Sequence, residues 1–151
     1  MHHSFRKCDI PIRERGVSII ETLIVVAVIG IATTLAIPMY HIYTIRAQIS
    51  HGLVLSGTHK LAVASYHHDN GAFPANNAQV SLAPPADYAS KYVASISIDG
   101  AAVAIQYGNK AHRQIAGRTV TLSASDIVGS VQWSCSSGGT IPDDHMPPAC
   151  R

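Results

Sequence analysis

Few residues in this 151-residue chain have the types and spacing that chemistry requires. His67-His68-Asp69 sets two imidazoles beside a carboxylate, the groups that bind a metal or move a proton. Neighbours on a helix point in different directions, however, so the trio reads as a solvated helix end. After Gly16 the acids are scattered singly except for Asp143-Asp144, and no HExxH, GxSxG or Walker loop occurs. Neither an enzymatic activity nor a cofactor or metal is expected. Tyr107 and Trp133 read as core residues rather than stacking platforms. That leaves Glu21, a lone acid among apolar neighbours, and the cysteines Cys8, Cys135 and Cys150.

The elements that position them begin with an apolar run. Val17 to Tyr40 reads VSIIETLIVVAVIGIATTLAIPMY, in which Glu21 is the only acid and there is no Lys or Arg. A helix needs about 20 mainly apolar residues to span a bilayer, and this run supplies them. Arg6, Lys7, Arg13 and Arg15 precede it, so the N-terminus is expected in the cytoplasm and everything after Tyr40 across the membrane. That side separates Cys8 from Cys135 and Cys150, which would be oxidised to a bridge stabilising the fold by about 3 kcal/mol in the chain-entropy model. CxxC spacing, which would favour a metal, is absent. The first sixteen residues hold four of the 11 basic and two of the 9 acidic residues, leaving seven of each. A neutral remainder offers no footprint for nucleic acid, and 47% apolar with 13% charged residues excludes a disordered chain.

Beyond the run, Ile42, Ile45, Ile49, Leu53, Gly57, Leu61 and Ala64 keep one stripe on a helix, with His41, Gln48, Ser56, Lys60 and His67 largely elsewhere. Asp69-Asn70-Gly71, followed by Pro74, should end it. A helix over 17–69 would be about 80 Å long, so half of it should protrude. Gly30 and Pro38 are its weak points, with Thr33 and Thr34 placed to bond loosened backbone; a kink or melted stretch is expected between them. After a loop from Ala72 to about Ser90 come four alternating sets. They are Ala94, Ile96 and Ile98; Val103, Ile105 and Tyr107; Val120, Leu122 and Ala124; and Val131, Trp133 and Cys135. Asp99-Gly100 is the expected hairpin turn between the first two. The fold class is therefore α+β: a long N-terminal helix whose second half covers a four-stranded antiparallel sheet, with a Gly/Ser/Pro-rich, disulfide-bounded tail.

With RERG/VSIIE in view, the chain resembles a type IV pilin precursor, most similar to the type IVa pilins. Gly16 is followed by apolar Val17, and Glu21 is the fifth residue beyond the glycine. Counting from Val17, Gly30 is fourteenth and Pro38 twenty-second, the family's helix-breaking positions. YHHDNGAFP resembles the family's helix cap, and QWSC…IPDDHMPPAC its C-terminal disulfide region with Cys135 and Cys150. The resemblance implies a leader over 1–16 removed by a prepilin peptidase and N-methylation of Val17. It implies an assembly half of the helix over 17–40, an amphipathic half over 41–70 and a globular head over 71–151. The implied partners are copies of itself in a helical filament, the pilus assembly machinery with its separate ATPase, and the inner membrane before assembly. The implied outputs are surface adhesion and twitching motility; DNA or a host surface has no support from composition.

Glu21 has a physical role beside that resemblance. A charged carboxylate in a bilayer costs about 2.5–3.5 kcal/mol on insertion scales, so a retained one usually has a partner. Cleavage after Gly16 would create an amine at Val17 that softens the cost within one helix, or meets Glu21 of a neighbour in a staggered array. Three rivals stand beside the filament subunit: a minor pilin or type II secretion pseudopilin, a solitary membrane-anchored periplasmic binding domain, and a secreted protein cleaved after Ala36.

Overall fold

The computed structural model describes residues 16–150 apart from 128 and 139; Arg6, Lys7, Cys8, Arg13 and Arg15 lie outside the described residues. The chain forms two compact units that divide between Ile37 and Pro38, here called the stem and the head.

Helix α1 runs Ile19–Leu55 and α2 Gly57–Asn70, interrupted only at Ser56. The backbone is helical at both Gly30 and Pro38, so no melted stretch separates them in this chain. Thr33 Oγ1 donates to the Gly30 carbonyl at 2.9 Å and Thr34 Oγ1 to that of Ile31 at 2.8 Å. Both hydroxyls thus back-bond to their own helix, as threonines in apolar helices do. The end of α2 falls where the sequence places it: Gly71 takes the left-handed conformation at φ 70° and its N–H closes on the His67 carbonyl.

In the head, four antiparallel strands lie in the order β1 (Val93–Asp99), β2 (Ala102–Tyr107), β3 (Thr119–Ile127) and β4 (Ser130–Ser136). Their buried face carries Ile96, Ile98, Val103, Ile105, Tyr107, Val120, Leu122 and Ala124, in accord with the alternation. The first strand departs from it. The register slips between Val93 and Ser95, so Val93 is buried and Ala94 is not. A β-bulge of this kind adds one residue and flips the face of what precedes it. The hairpin turn is also one residue later than expected: Asp99 pairs with Ala102, leaving Gly100 (φ 59°) and Ala101 at the tip. Glycine at the first tip position suits a type II′ turn.

The helix stripe follows the predicted face only as far as Leu53. Ile45 and Ile49 are fully buried, but Leu61 is 72% exposed and Gly57 is exposed as well. The buried face continues instead through Gly52, Ser56, His59 and Val63. Residue size decides this. At Gly52 the helix lies so close to β2 that the Tyr107 hydroxyl donates to the Ile49 carbonyl at 2.8 Å. Ser56 turns its hydroxyl back to the Leu53 carbonyl at 2.7 Å and so presents little bulk. Gln48 also faces the head, its Oε1 accepting the His112 N–H at 2.8 Å.

His59 is the costliest member of this face. It is fully buried, neither ring nitrogen has a hydrogen-bond partner among the described residues, and the Tyr88 ring meets it edge-on at 4.3 Å. Burial holds its imidazole below the ordinary value of 6.5. The neutral form is thus the one that fits the fold, and the unfolded chain takes up the proton first. The contribution of His59 to head stability is accordingly kept above pH 6.5 and lost as pH drops below it. Thermal midpoints recorded from about pH 7.5 to 5 should decline more steeply for the wild-type chain than for His59→Phe, which keeps the ring and removes the titration. Parallel profiles would show that His59 does not carry the acid sensitivity.

The loop before β1 is itself tied to the sheet. Asn77 is 4% exposed; its Oδ1 accepts the Ile98 N–H at 2.7 Å and its Nδ2 donates to the Ile96 carbonyl at 3.1 Å. One side chain thereby satisfies part of the open edge of β1, which would otherwise invite another strand. The tail is held to β4 by the Cys135–Cys150 disulfide, whose Cα atoms are 4.8 Å apart. It buries Ile141 and Met146 in the core.

Candidate assembly site

The stem is apolar on every side, so no single face of it can be matched to a core. From Ile19 to Ile31 each of its Ile, Leu and Val side chains is more than half exposed, from Val25 at 52% to Ile19 at 81%. At about 1.5–3 kcal/mol for each large apolar side chain moved out of water, nine such residues represent well over 10 kcal/mol of unused burial. The helix is long and apolar enough to cross a membrane.

Glu21 interrupts this surface in the first turn of α1, where its charge complements the positive end of the helix dipole. Val17 precedes that turn and is 72% exposed. The first turn closes on Ser18, whose carbonyl accepts both the backbone N–H and the hydroxyl of Thr22, at 3.2 and 3.1 Å. Among the described residues Glu21 has no ion-pair partner. Glu21 is thus one carboxylate among exposed apolar neighbours, one helical turn from Val17.

The other candidates do not converge. His67 stacks on Phe73 at 4.3 Å and turns Nε2 toward Asp126 at 3.9 Å, while His68 and Asp69 are exposed. No group of three metal-ligating side chains occurs among the described residues. Tyr107 is buried as expected, and burial pushes its phenol above the ordinary value of 10.0. Trp133 is only partly buried, with the Lys60 Nζ 5.4 Å from its ring.

The head settles the family. A family model described as pilin, a bacterial filament protein, matches residues 45–151. The chain belongs to the type IV pilin family. It is 33% identical to a type IV major pilin protein PilE1 of Neisseria gonorrhoeae, over 91% of this chain and 94% of that protein. It is 34% identical to the fimbrial protein EcpC of Eikenella corrodens, over 91% of each. A type IV major fimbrial protein FimA of Dichelobacter nodosus is 28% identical over 91% of this chain and 96% of its own length. This pilin is therefore a structural pilus subunit, and its exposed stem, four-stranded sheet and disulfide-bounded tail are the parts of the pilin fold. Two head residues escaped the sequence reading, His59 and Asn77. A lone histidine or asparagine carries no periodic signal, and only the packed neighbours assign it a place.

Proposed function

We propose that this pilin polymerises through its N-terminal stem into a surface filament that serves adhesion and twitching motility. The observation that carries the reading is the exposed stem from Ile19 to Ile31, apolar apart from Glu21 and Thr22. Lipid covers that surface before assembly, and stems of other copies cover it afterwards. Packing identical chains by a repeated, non-closing contact generates a fibre rather than a ring. A prepilin peptidase removes 1–16 by cutting between Gly16 and Val17, and the new amine of Val17 is methylated. Before assembly the N-terminus is cytoplasmic and the head periplasmic; in the fibre the protein is extracellular, delivered by the assembly machinery.

Glu21 of one copy then meets the Val17 amine of a neighbour, which neutralises two charges in an apolar bundle and sets the axial register. Gly30 and Pro38, helical in the free chain, are the positions at which the helix loosens in the filament. Intact mass of material sheared from cells tests the processing in one measurement. The expected species begins at Val17, carries one methyl group and has Cys135 and Cys150 oxidised. Material that begins at Met1 would identify an anchored monomer, and material lacking the stem a secreted protein; either outcome removes the filament reading.

A further inference from the structure

The two ends of the sheet carry opposite charge. Four of the seven Lys and Arg residues that follow Gly16 lie at one end: Lys91 before β1, and Lys110, Arg113 and Arg118 between β2 and β3. Backbone bonds gather them there. The Lys110 N–H donates to the Lys91 carbonyl at 2.9 Å, and the Tyr107 N–H to the Arg118 carbonyl at 2.9 Å. All four side chains are exposed, and among the described residues none forms an ion pair. At the other end stand Asp69 in the last turn of α2, Asp99 closing β1 and Asp126 near the end of β3, all exposed. The contact of His67 with Asp126 at 3.9 Å places the helix end beside the β3–β4 turn. Asp143 and Asp144 lie at the same end as the basic group, held by the Arg46 Nε bond to the Asp144 carbonyl at 2.8 Å and by the tail against Ser136, on the flank of β4. That is the edge of the sheet opposite β1.

The charges at the two ends cannot satisfy one another within one head. The nine residues of β3 span about 30 Å, several times the roughly 8 Å screening length at physiological salt. Each end carries an excess of one sign of charge, and each is the complement of the other on a different molecule.

We propose that the basic end, Lys91, Lys110, Arg113 and Arg118, docks against the acidic end, Asp69 and Asp99 with Asp126, of a second copy of this chain. The inference rests on the filament reading above and adds a head-to-head contact to it. A second copy is favoured because every head presents both the basic end and the complementary acidic end, so each copy supplies both partners of the contact. Exposed pairs are individually weak, but one such contact per subunit recurs along a filament, and complementary charge fixes orientation more than affinity.

Charge exchange in cells that display wild-type filaments tests the contact. Lys110→Glu with Arg113→Glu, and separately Asp69→Lys with Asp99→Lys, should each lower sheared filament by about tenfold, the equivalent of about 1.4 kcal/mol per contact. Combining all four should restore the yield, because the pairs re-form with signs reversed. Restoration cannot arise from a misfolded head, so the combined variant keeps the test valid even if one pair is harmful alone. Normal yield from both separate pairs, or no recovery in the combination, overturns the contact. If the first pair leaves yield unchanged but abolishes retention of filaments on heparin, the basic end serves a polyanion and the proposal is overturned. Absence of filaments from the wild-type chain removes the filament reading and this contact together; wild-type filaments indifferent to charge reversal remove this contact alone.

Discussion

Glu21→Ala is expected to give a pilin that inserts and is processed but hardly polymerises. Alone in the membrane, the variant loses a carboxylate that costs about 2.5–3.5 kcal/mol to bury, so membrane levels should hold or rise. With the pairing proposed above, the same change would leave the Val17 amine of a neighbour unpaired in apolar surroundings. Removing one partner of a buried pair costs about 3–5 kcal/mol, which weakens subunit addition by about a hundredfold or more. Glu21→Gln separates charge from size: it retains hydrogen bonding and volume but should still assemble poorly, because a neutral amide cannot neutralise the amine. The measurement is the ratio of sheared to membrane-retained protein, with intact mass confirming cleavage after Gly16. Wild-type filament yield from Glu21→Ala would show that the stems align by packing alone.

The second large effect lies in the head. A methyl group added at Gly52 would land on the Tyr107 hydroxyl and within 2.8 Å of its Cζ, closer than side chains tolerate. Tyr107 is fully buried and bonded to the Ile49 carbonyl, so it has no free volume to move into. Gly52→Ala should therefore destabilise the head by about 2–4 kcal/mol, combining overpacking with the strained or broken hydrogen bond. Gly57→Ala is the internal control, since that site is exposed and has nothing within 4 Å of the new Cβ. There the same substitution should stabilise by up to about 1 kcal/mol through helix propensity. For a head of this size, about 4–8 °C per kcal/mol separates the two variants well in a thermal melt. Adding Tyr107→Phe to Gly52→Ala removes the closest contact and should recover part of the loss. Equal melting of the two glycine variants would mean that α1 does not sit on β2 as described.

The stem and its acid are legible in the sequence because they are local properties. Twenty-odd apolar residues with one carboxylate mean the same thing wherever the head is placed, and Gly71 ends α2 through its own backbone freedom. Strand alternation is nearly as local, and it located four strands in their observed order. It failed at Ala94, where one extra residue in β1 changes the face and the composition gives no sign of it.

What the sequence could not decide is which face of the helix the head would bury. Counting apolar residues led from Leu53 to Gly57 and Leu61, whereas close approach demanded Gly52, Ser56 and His59. Apolarity measures the gain from leaving water, but a helix held against a tyrosine hydroxyl is aligned by the volume available there. The opposed charges at the ends of the sheet are another product of the fold. Along the chain Lys110, Arg113 and Arg118 share one loop, but Asp99 separates them from Lys91, and strand pairing brings Lys91 beside them and Asp99 to the end of Asp126. The sequence determined by itself that the protein has a membrane-length stem with one buried-charge problem to solve. The tertiary structure decided how the head meets its helix and where its charges face, because packing and strand register are relations between residues distant in the chain.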